Sequence, residues 1–179
     1  MSSAWGSRPE YGEFKIVGAA EGRPRLLGEG SFGKTFEAVR IDIVAGGQIE
    51  ERVALKVLNP SLRINPAKRL QCLQELSALS KLRHANLIRC IKAGEDKETK
   101  EIFFAMDLCL GGDLAKLVKR FGPLPERVAA VIGLQVASGL QLVHREQHVH
   151  RDIKPTNIML AEELPPEITL DQLTQMLED

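Results

Sequence analysis

Apolar and polar positions divide the chain into short extended stretches in its first half and longer helical ones in its second. Phe14 to Val17 reads as a short strand. Arg25 to Val39 contains a polar, glycine-rich turn flanked by alternating residues, and Lys34-Thr35-Phe36-Glu37-Ala38-Val39 has the period of a strand. Val53-Ala54-Leu55-Lys56-Val57-Leu58 is an apolar run interrupted by Lys56 alone, which predicts a mostly buried strand. Ala45-Gly46-Gly47 marks Ile41 to Arg52 as a variable hairpin loop. Leu87 to Ala93 and Ile102 to Leu108 read as two more strands around the turn Gly94 to Lys100.

The helical spacings begin at Asn65-Pro66, an N-cap followed by proline in the first turn, and run to about Leu82. On that helix Cys72, Leu79 and Leu82 share a side with Glu75. Leu114 to Phe121 is a short helix closed by Gly122-Pro123. Pro125 opens a helix to about Glu146 whose apolar positions cover most of its circumference, so it asks to be buried nearly all round. Thr169 to Leu177 is a last short helix, with Thr169 and Gln172 as a capping box.

Composition narrows the class. The chain has 179 residues, 44% hydrophobic and 27% charged, a globular balance. Its 24 basic and 24 acidic side chains cancel, so neither nucleic acid nor a membrane surface is an expected partner. Cys72, Cys90 and Cys109 are scattered and odd in number, which favours a reducing, cytoplasmic setting over a disulfide framework. Residues 1–13 mix Ser, Gly, Pro and charge and are expected to form a flexible lead-in. Val128 to Val143 is broken by Gln135, Ser138 and Gln141 and reads as a buried helix rather than a membrane span.

The stretch with the most chemistry is His148-Val149-His150-Arg151-Asp152-Ile153-Lys154-Pro155-Thr156-Asn157-Ile158-Met159-Leu160. Asp152 can take or steer a hydroxyl proton, Lys154 can neutralise a phosphoryl group, and Asn157 offers a carbonyl oxygen to a hard cation. From the residues alone, a polar turn between a helix and a strand is the other reading. The run resembles the catalytic loop of protein kinases, H-R-D-x-x-x-x-N, and Asp152 followed by Lys154-Pro155 resembles the serine/threonine branch. Gly28-Glu29-Gly30-Ser31-Phe32-Gly33 is a G-x-G-x-x-G. It is followed by strand periodicity and not by a helix, so it resembles the kinase glycine-rich loop more than a dinucleotide turn. A ligand-free glycine hairpin stays open beside that reading. Val53-Ala54-Leu55-Lys56 is similar to the third-strand V-A-I-K, and His84-Ala85-Asn86-Leu87-Ile88 to the turn that ends the kinase C-helix.

The resemblance implies an α+β, protein-kinase-like fold, with a complete N-lobe (β-sheet plus C-helix) over residues 14–108 and a partial helical C-lobe over 109–160. It implies ATP and Mg²⁺ as cofactors and a protein Ser or Thr hydroxyl as substrate. Gly28, Glu29, Gly30, Ser31, Phe32 and Gly33 would cover the phosphates, Thr35 and Ala54 would face the adenine, and Lys56 would grip the α/β-phosphates. Glu75 would orient Lys56, its alternative being an ordinary solvated glutamate. Met106 would lie behind the adenine, and the backbone of Asp107 and Cys109 would bond its edge. Asp113 would reach the ribose, although Gly111-Gly112-Asp113 also reads as a plain helix N-terminus. Asp152 and Lys154 would serve the transferred group, and Asn157 would bind the metal.

Beyond Leu160 the resemblance weakens. Residues 161–179 read as a divergent acidic tail, or as an insertion ahead of an Asp-Phe-Gly that does not occur in residues 1–179. Low activity of these residues alone is the expectation, with a non-catalytic nucleotide-binding or regulatory kinase-like module as the alternative. The last helix offers one narrow apolar stripe, too little to cover the helix that starts at Pro125. Self-association through that uncovered helix is therefore expected.

Overall fold

The computed structural model describes residues 6, 8–30, 32–45, 47–60, 70, 73, 74, 76–78 and 80–178. The chain forms two compact units, residues 1–82 with 88–108 and residues 83–87 with 109–179.

The first unit is an antiparallel sheet of seven strands among the described residues. They are β1 (Glu10–Tyr11), β2 (Phe14–Ile16), β3 (Leu26–Gly30), β4 (Gly33–Val44), β5 (Gly47–Leu58), β6 (Cys90–Glu95) and β7 (Ile102–Asp107), in the order β1-β2-β4-β5-β7-β6 with β3 also on β4. One sheet face builds the core. Phe36, Ala38, Val53, Leu55, Val57, Phe103 and Ala105 pack there with Tyr11, Phe14 and Ile16. The alternation of β5 explains it, since Val53, Leu55 and Val57 share a side and Ala54 and Lys56 take the other. Leu70, Leu73, Gln74, Leu76, Ser77 and Ala78 are helical, as the Asn65 to Leu82 pattern expects. Glu75, Cys72, Leu79 and the Asn65-Pro66 start lie outside the described residues.

Two expectations need correction. Residues 8–13 are not a flexible lead-in. Tyr11 is fully buried, its ring centroid 5.5 Å from that of Phe103. Its hydroxyl donates to Glu101 at 2.6 Å, and Arg8 pairs with Asp96 at 3.1 Å. Gly6 N–H donates to the same Glu101, and Glu13 pairs with Lys92 of β6. A two-residue strand carries no period, so its worth is set by partners some ninety residues away. Second, Ile41 to Arg52 is not a loop. β4 and β5 are twelve residues each and stay paired to Val44 and Gly47. The ladder reaches Val44 and Gly47, and the paired strands carry Ile43 and Ile49 out into solvent.

The second unit is helical: α1 (Leu114–Phe121), α2 (Glu126–Arg145) and α3 (Leu170–Glu178). Gly122, at φ 79°, closes α1 by donating its N–H to the Val118 carbonyl. Thr169 and Gln172 exchange hydrogen bonds at the start of α3, as the capping box requires. A small core joins Leu117 of α1, Val128 of α2, and Ile168 and Leu173 of the last segment. His84 holds its turn by accepting from the Asn86 N–H at 3.0 Å, and Gly139 lets α2 approach the Asn86 carbonyl. α2 is long and apolar enough to cross a membrane by length and composition. The burial nearly all round that its sequence asks for is not met: only Val128, Gly139 and Val143 are buried, and Leu134 is 70% exposed. α3 packs on part of it, while Ala129, Ala130, Leu134 and Ala137 stay exposed.

Candidate active site

The sheet face opposite the core carries the first group of expected residues. Strand register places Thr35, Lys56 and Phe104 side by side, and Glu37, Ala54 and Met106 in the next row. Thr35, Ala54, Lys56 and Met106, named from separate motifs, thus share one face in two adjacent rows. Lys56 Nζ lies 5.9 Å from the Phe104 ring centroid, which lends it a cation–π contact. Its expected partner Glu75 is outside the described residues.

The glycine run forms the hairpin of β3 and β4, with Gly30 opposite Gly33, Glu29 opposite Lys34 and Gly28 opposite Thr35. Glu29 and Lys34 pair at 3.7 Å. The glycines differ in purpose. A Cβ on Gly33 would sit 2.4 Å from the Val57 carbonyl oxygen, so close strand packing requires glycine there. A Cβ on Gly28 or Gly30 would meet nothing within 4 Å. All five residues of β3 are exposed, and Phe32 at the tip is 68% exposed. That open side leaves room for a bulky anion against the hairpin's backbone N–H groups. Ser31 is outside the described residues.

Asp107 donates its backbone N–H to the Arg89 carbonyl, and its carboxylate holds Arg89 at 2.8 Å. Cys109 is partly buried. Asp113 is the N-cap of α1 and accepts from the Lys116 N–H at 2.8 Å. The helix N-terminus reading of Gly111-Gly112-Asp113 is therefore what its side chain does here. Both glycines are needed: a Cβ at Gly111 would lie 2.1 Å from the Glu162 carbonyl oxygen, and Gly112 has φ 78°.

In the second unit Asp152, Lys154 and Asn157, expected to form a catalytic loop, converge. Lys154 Nζ lies 2.9 Å from Asp152 Oδ1. Asn157 Nδ2 donates at 2.8 Å both to Asp152 Oδ2 and to the Asp152 carbonyl. A 3₁₀ turn, Pro155–Asn157, brings this about, because it folds Asn157 back over the aspartate. Met159 pairs with Asp113, and the Leu160 N–H donates to Gly112, so the loop is stitched to the segment ahead of α1. Arg151 adopts φ 64°, an uncommon conformation for a residue with a side chain, within this bonded loop. The Lys154 hydrogen bond first, then that of Asn157, holds the Asp152 carboxyl below its usual range, against a small opposing effect of burial. Asp152 is thus an ionised acceptor at neutral pH. Because Nδ2 makes both of its bonds to Asp152, the Asn157 carbonyl oxygen is the group that could hold a cation. One amide oxygen fits the way Mg²⁺ is commonly held, by few protein oxygens together with phosphates and waters. Among the described residues no cluster of three acidic, His or Cys side chains forms a metal site.

A family model described as the protein kinase domain matches residues 23–169. The chain belongs to the protein kinase family. The match starts nine residues later than the motifs alone imply and continues nine residues beyond Leu160, into the first part of the segment read as divergent. Relatives agree. The chain is 35% identical over 147 residues to the serine/threonine-protein kinase ATG1a of Arabidopsis thaliana, covering 82% of this chain and 22% of that protein. It is 31% identical over 163 residues to the human serine/threonine-protein kinase ULK3, covering 87% and 33%. The kinase domain of PknI from Mycobacterium tuberculosis superposes with a TM-score of 0.66 at 23% identity, over 89% of this chain and 60% of that one. The last likeness shows the fold, an α+β kinase architecture. The chain spans about a fifth to a third of the curated relatives it matches here. Members of the family use ATP with Mg²⁺.

Sequence reading missed Glu37 and Phe104 as parts of the site face. Both follow from counting by two from Thr35 along β4 and from the Lys56 row across to β7.

Proposed function

We propose that this chain carries the nucleotide seat and catalytic loop of a serine/threonine protein kinase, which moves the γ-phosphoryl group of ATP to a protein Ser or Thr hydroxyl. The observation that carries this is the Asp152–Lys154–Asn157 cluster, all within 2.8–2.9 Å of the aspartate. The serine/threonine assignment rests on Lys154-Pro155 and on the names of the relatives.

Bound ATP with Mg²⁺ supplies the transferable group and its charge neutralisation. Asp152, ionised, accepts a hydrogen bond from the incoming hydroxyl and aligns it. Lys154 would leave its aspartate to meet a phosphoryl oxygen, and Asn157 keeps Asp152 oriented, while its carbonyl oxygen would hold the cation. On the first unit, Lys56 meets the α/β-phosphates and the backbone of Gly28 to Gly33 covers them. Ala54, Thr35 and Met106 provide the apolar surface for the adenine. Such a reaction is mostly positioning and electrostatics, so each missing charge partner costs powers of ten.

Residues 1–179 alone should bind nucleotide weakly and turn over far below a full kinase, because they contain no Asp-Phe-Gly carboxylate for the second metal contact. A radiolabel transfer assay with a mixed Ser/Thr protein substrate tests both parts. Trace transfer abolished by Asp152→Asn, or nucleotide binding without transfer, is expected for this segment. Turnover within about tenfold of an ordinary kinase, at about 1–100 s⁻¹, would overturn the low-activity reading. No nucleotide binding at all would overturn the kinase reading in favour of a regulatory module.

A further inference from the structure

The site face holds a buried carboxylate that the proposed reaction does not use. Glu37 is 3% exposed, on the row beside Lys56 and two residues along β4 from Thr35. Arg52 donates to its Oε1 through both Nε, at 2.9 Å, and a terminal nitrogen, at 2.7 Å. Arg25 Nε meets Oε2 at 2.9 Å. Both arginines remain more than half exposed, so their stems shield the carboxylate while their outer edges stay wet.

Main-chain bonds converge on the same point. The Glu37 N–H donates to the Arg25 carbonyl, the Val17 N–H donates to the Glu37 carbonyl, and the Arg25 N–H donates to the Val17 carbonyl. Residues 17, 25, 37 and 52 are therefore tied together at the base of the glycine hairpin. Above this knot β3 is held by its ladder to β4 and by the Glu29–Lys34 pair. The residues of β3 are all exposed, and its register shifts between Leu26 and Gly28. A buried carboxylate with both oxygens taken by planar guanidinium groups has one good geometry, which makes it a stiff joint.

We propose that Glu37, clamped by Arg25 and Arg52, is a positioning residue that fixes the direction in which the glycine hairpin leaves the sheet beside Lys56. The clamp then governs the grip on the nucleotide's phosphates and leaves the adenosine half nearly untouched. This rests on reading that face as the nucleotide seat. The competing role is a general one, in which the ion pair merely stabilises the sheet.

The test uses residues 1–179 as wild type and as Arg25→Gln, Arg25→Lys and Glu37→Gln. Calorimetric titration with ATP and with adenosine is paired with hydrogen exchange of residues 26–36 and 102–107. Arg25 is mostly exposed, so Arg25→Gln keeps the fold even if Glu37→Gln does not. Arg25→Gln should weaken ATP about tenfold and adenosine less than about twofold. It should speed exchange at 26–36 and leave 102–107 unchanged, while Arg25→Lys recovers most of the ATP affinity. Parallel loss of ATP and adenosine with faster exchange in both segments would overturn the proposal in favour of the general role. Unchanged exchange at 26–36 would overturn it outright. If the wild type binds neither ligand, the kinase reading of this chain fails, and the exchange comparison still decides whether the clamp holds the hairpin.

Discussion

The two units close their cores in different ways. In the first, apolar side chains from β4, β5 and β7 and from the β1–β2 segment meet in one cluster, with Tyr11, Phe14, Val53, Leu55 and Val57 wholly removed from water. In the second, the cluster is four buried residues, and the longest helix keeps Leu134 in solvent. Antiparallel strands bring partners from distant points of the chain to one face, whereas a helix apolar all round needs neighbours on every side. The first unit contains its own partners. The second holds its catalytic loop together by short hydrogen bonds rather than by burial, since residues 151–157 are all exposed.

The largest effect should separate the two. Phe103→Ala, which empties the contact with Tyr11 and Phe14, should cost about 3–5 kcal/mol in chemical denaturation, while Leu134→Ala should stay within about 0.5 kcal/mol. A comparable loss at Leu134 would mean that α2 is covered in solution, for instance by a second copy. Hydrogen exchange reads the same contrast, with residues 53–58 expected to outlast 128–143 in a monomeric sample. Equal protection would remove the distinction.

Tyr11→Phe comes next. It leaves the buried Glu101 carboxylate short of its 2.6 Å donor and should cost about 1–3 kcal/mol, read as a lower denaturation midpoint. No such cost would return residues 8–13 to a loose lead-in.

Acid should act on the same fastening. Burial by itself would raise the Asp96 carboxyl, but the Thr99 N–H and hydroxyl, with Arg8, outweigh it and hold it below its ordinary value. Glu13 is likewise lowered, Lys92 overcoming the opposing effect of burial. A folded pKa below the unfolded one gives stability that is fully present above about pH 4 and is lost as pH falls through the folded value. Denaturation midpoints of wild type and Arg8→Gln should therefore differ at pH 7 and converge toward pH 2–3. A gap that persists unchanged in acid would mean that Arg8 acts by packing alone. The smallest effect is Asp113→Ala, which removes the cap of α1 and should cost about 1 kcal/mol.

These contrasts also show what a linear chain discloses. The clustering of Asp152, Lys154 and Asn157 was legible because it is local: one turn joins them. Thr35, Ala54, Lys56 and Met106 were legible through motif and strand alternation. The β1 segment was not, because nothing near Tyr11 announces Glu101 or Phe103. The full length of β4 and β5 was hidden by Ala45-Gly46-Gly47, which reads as a loop, whereas the ladder runs on to Val44 and Gly47. Glu37 looked like an outward strand residue, since the arginines that bury it lie twelve and fifteen positions away along the chain.

The most direct measurement is MgATP titration of residues 1–179 against Lys56→Met, with circular dichroism to confirm the fold. The two-row face of Lys56 and Ala54 predicts saturable binding by the wild type, weakened about tenfold or more in the variant while adenosine binding persists. Equal MgATP affinity for both proteins would contradict the placement of the nucleotide on this face.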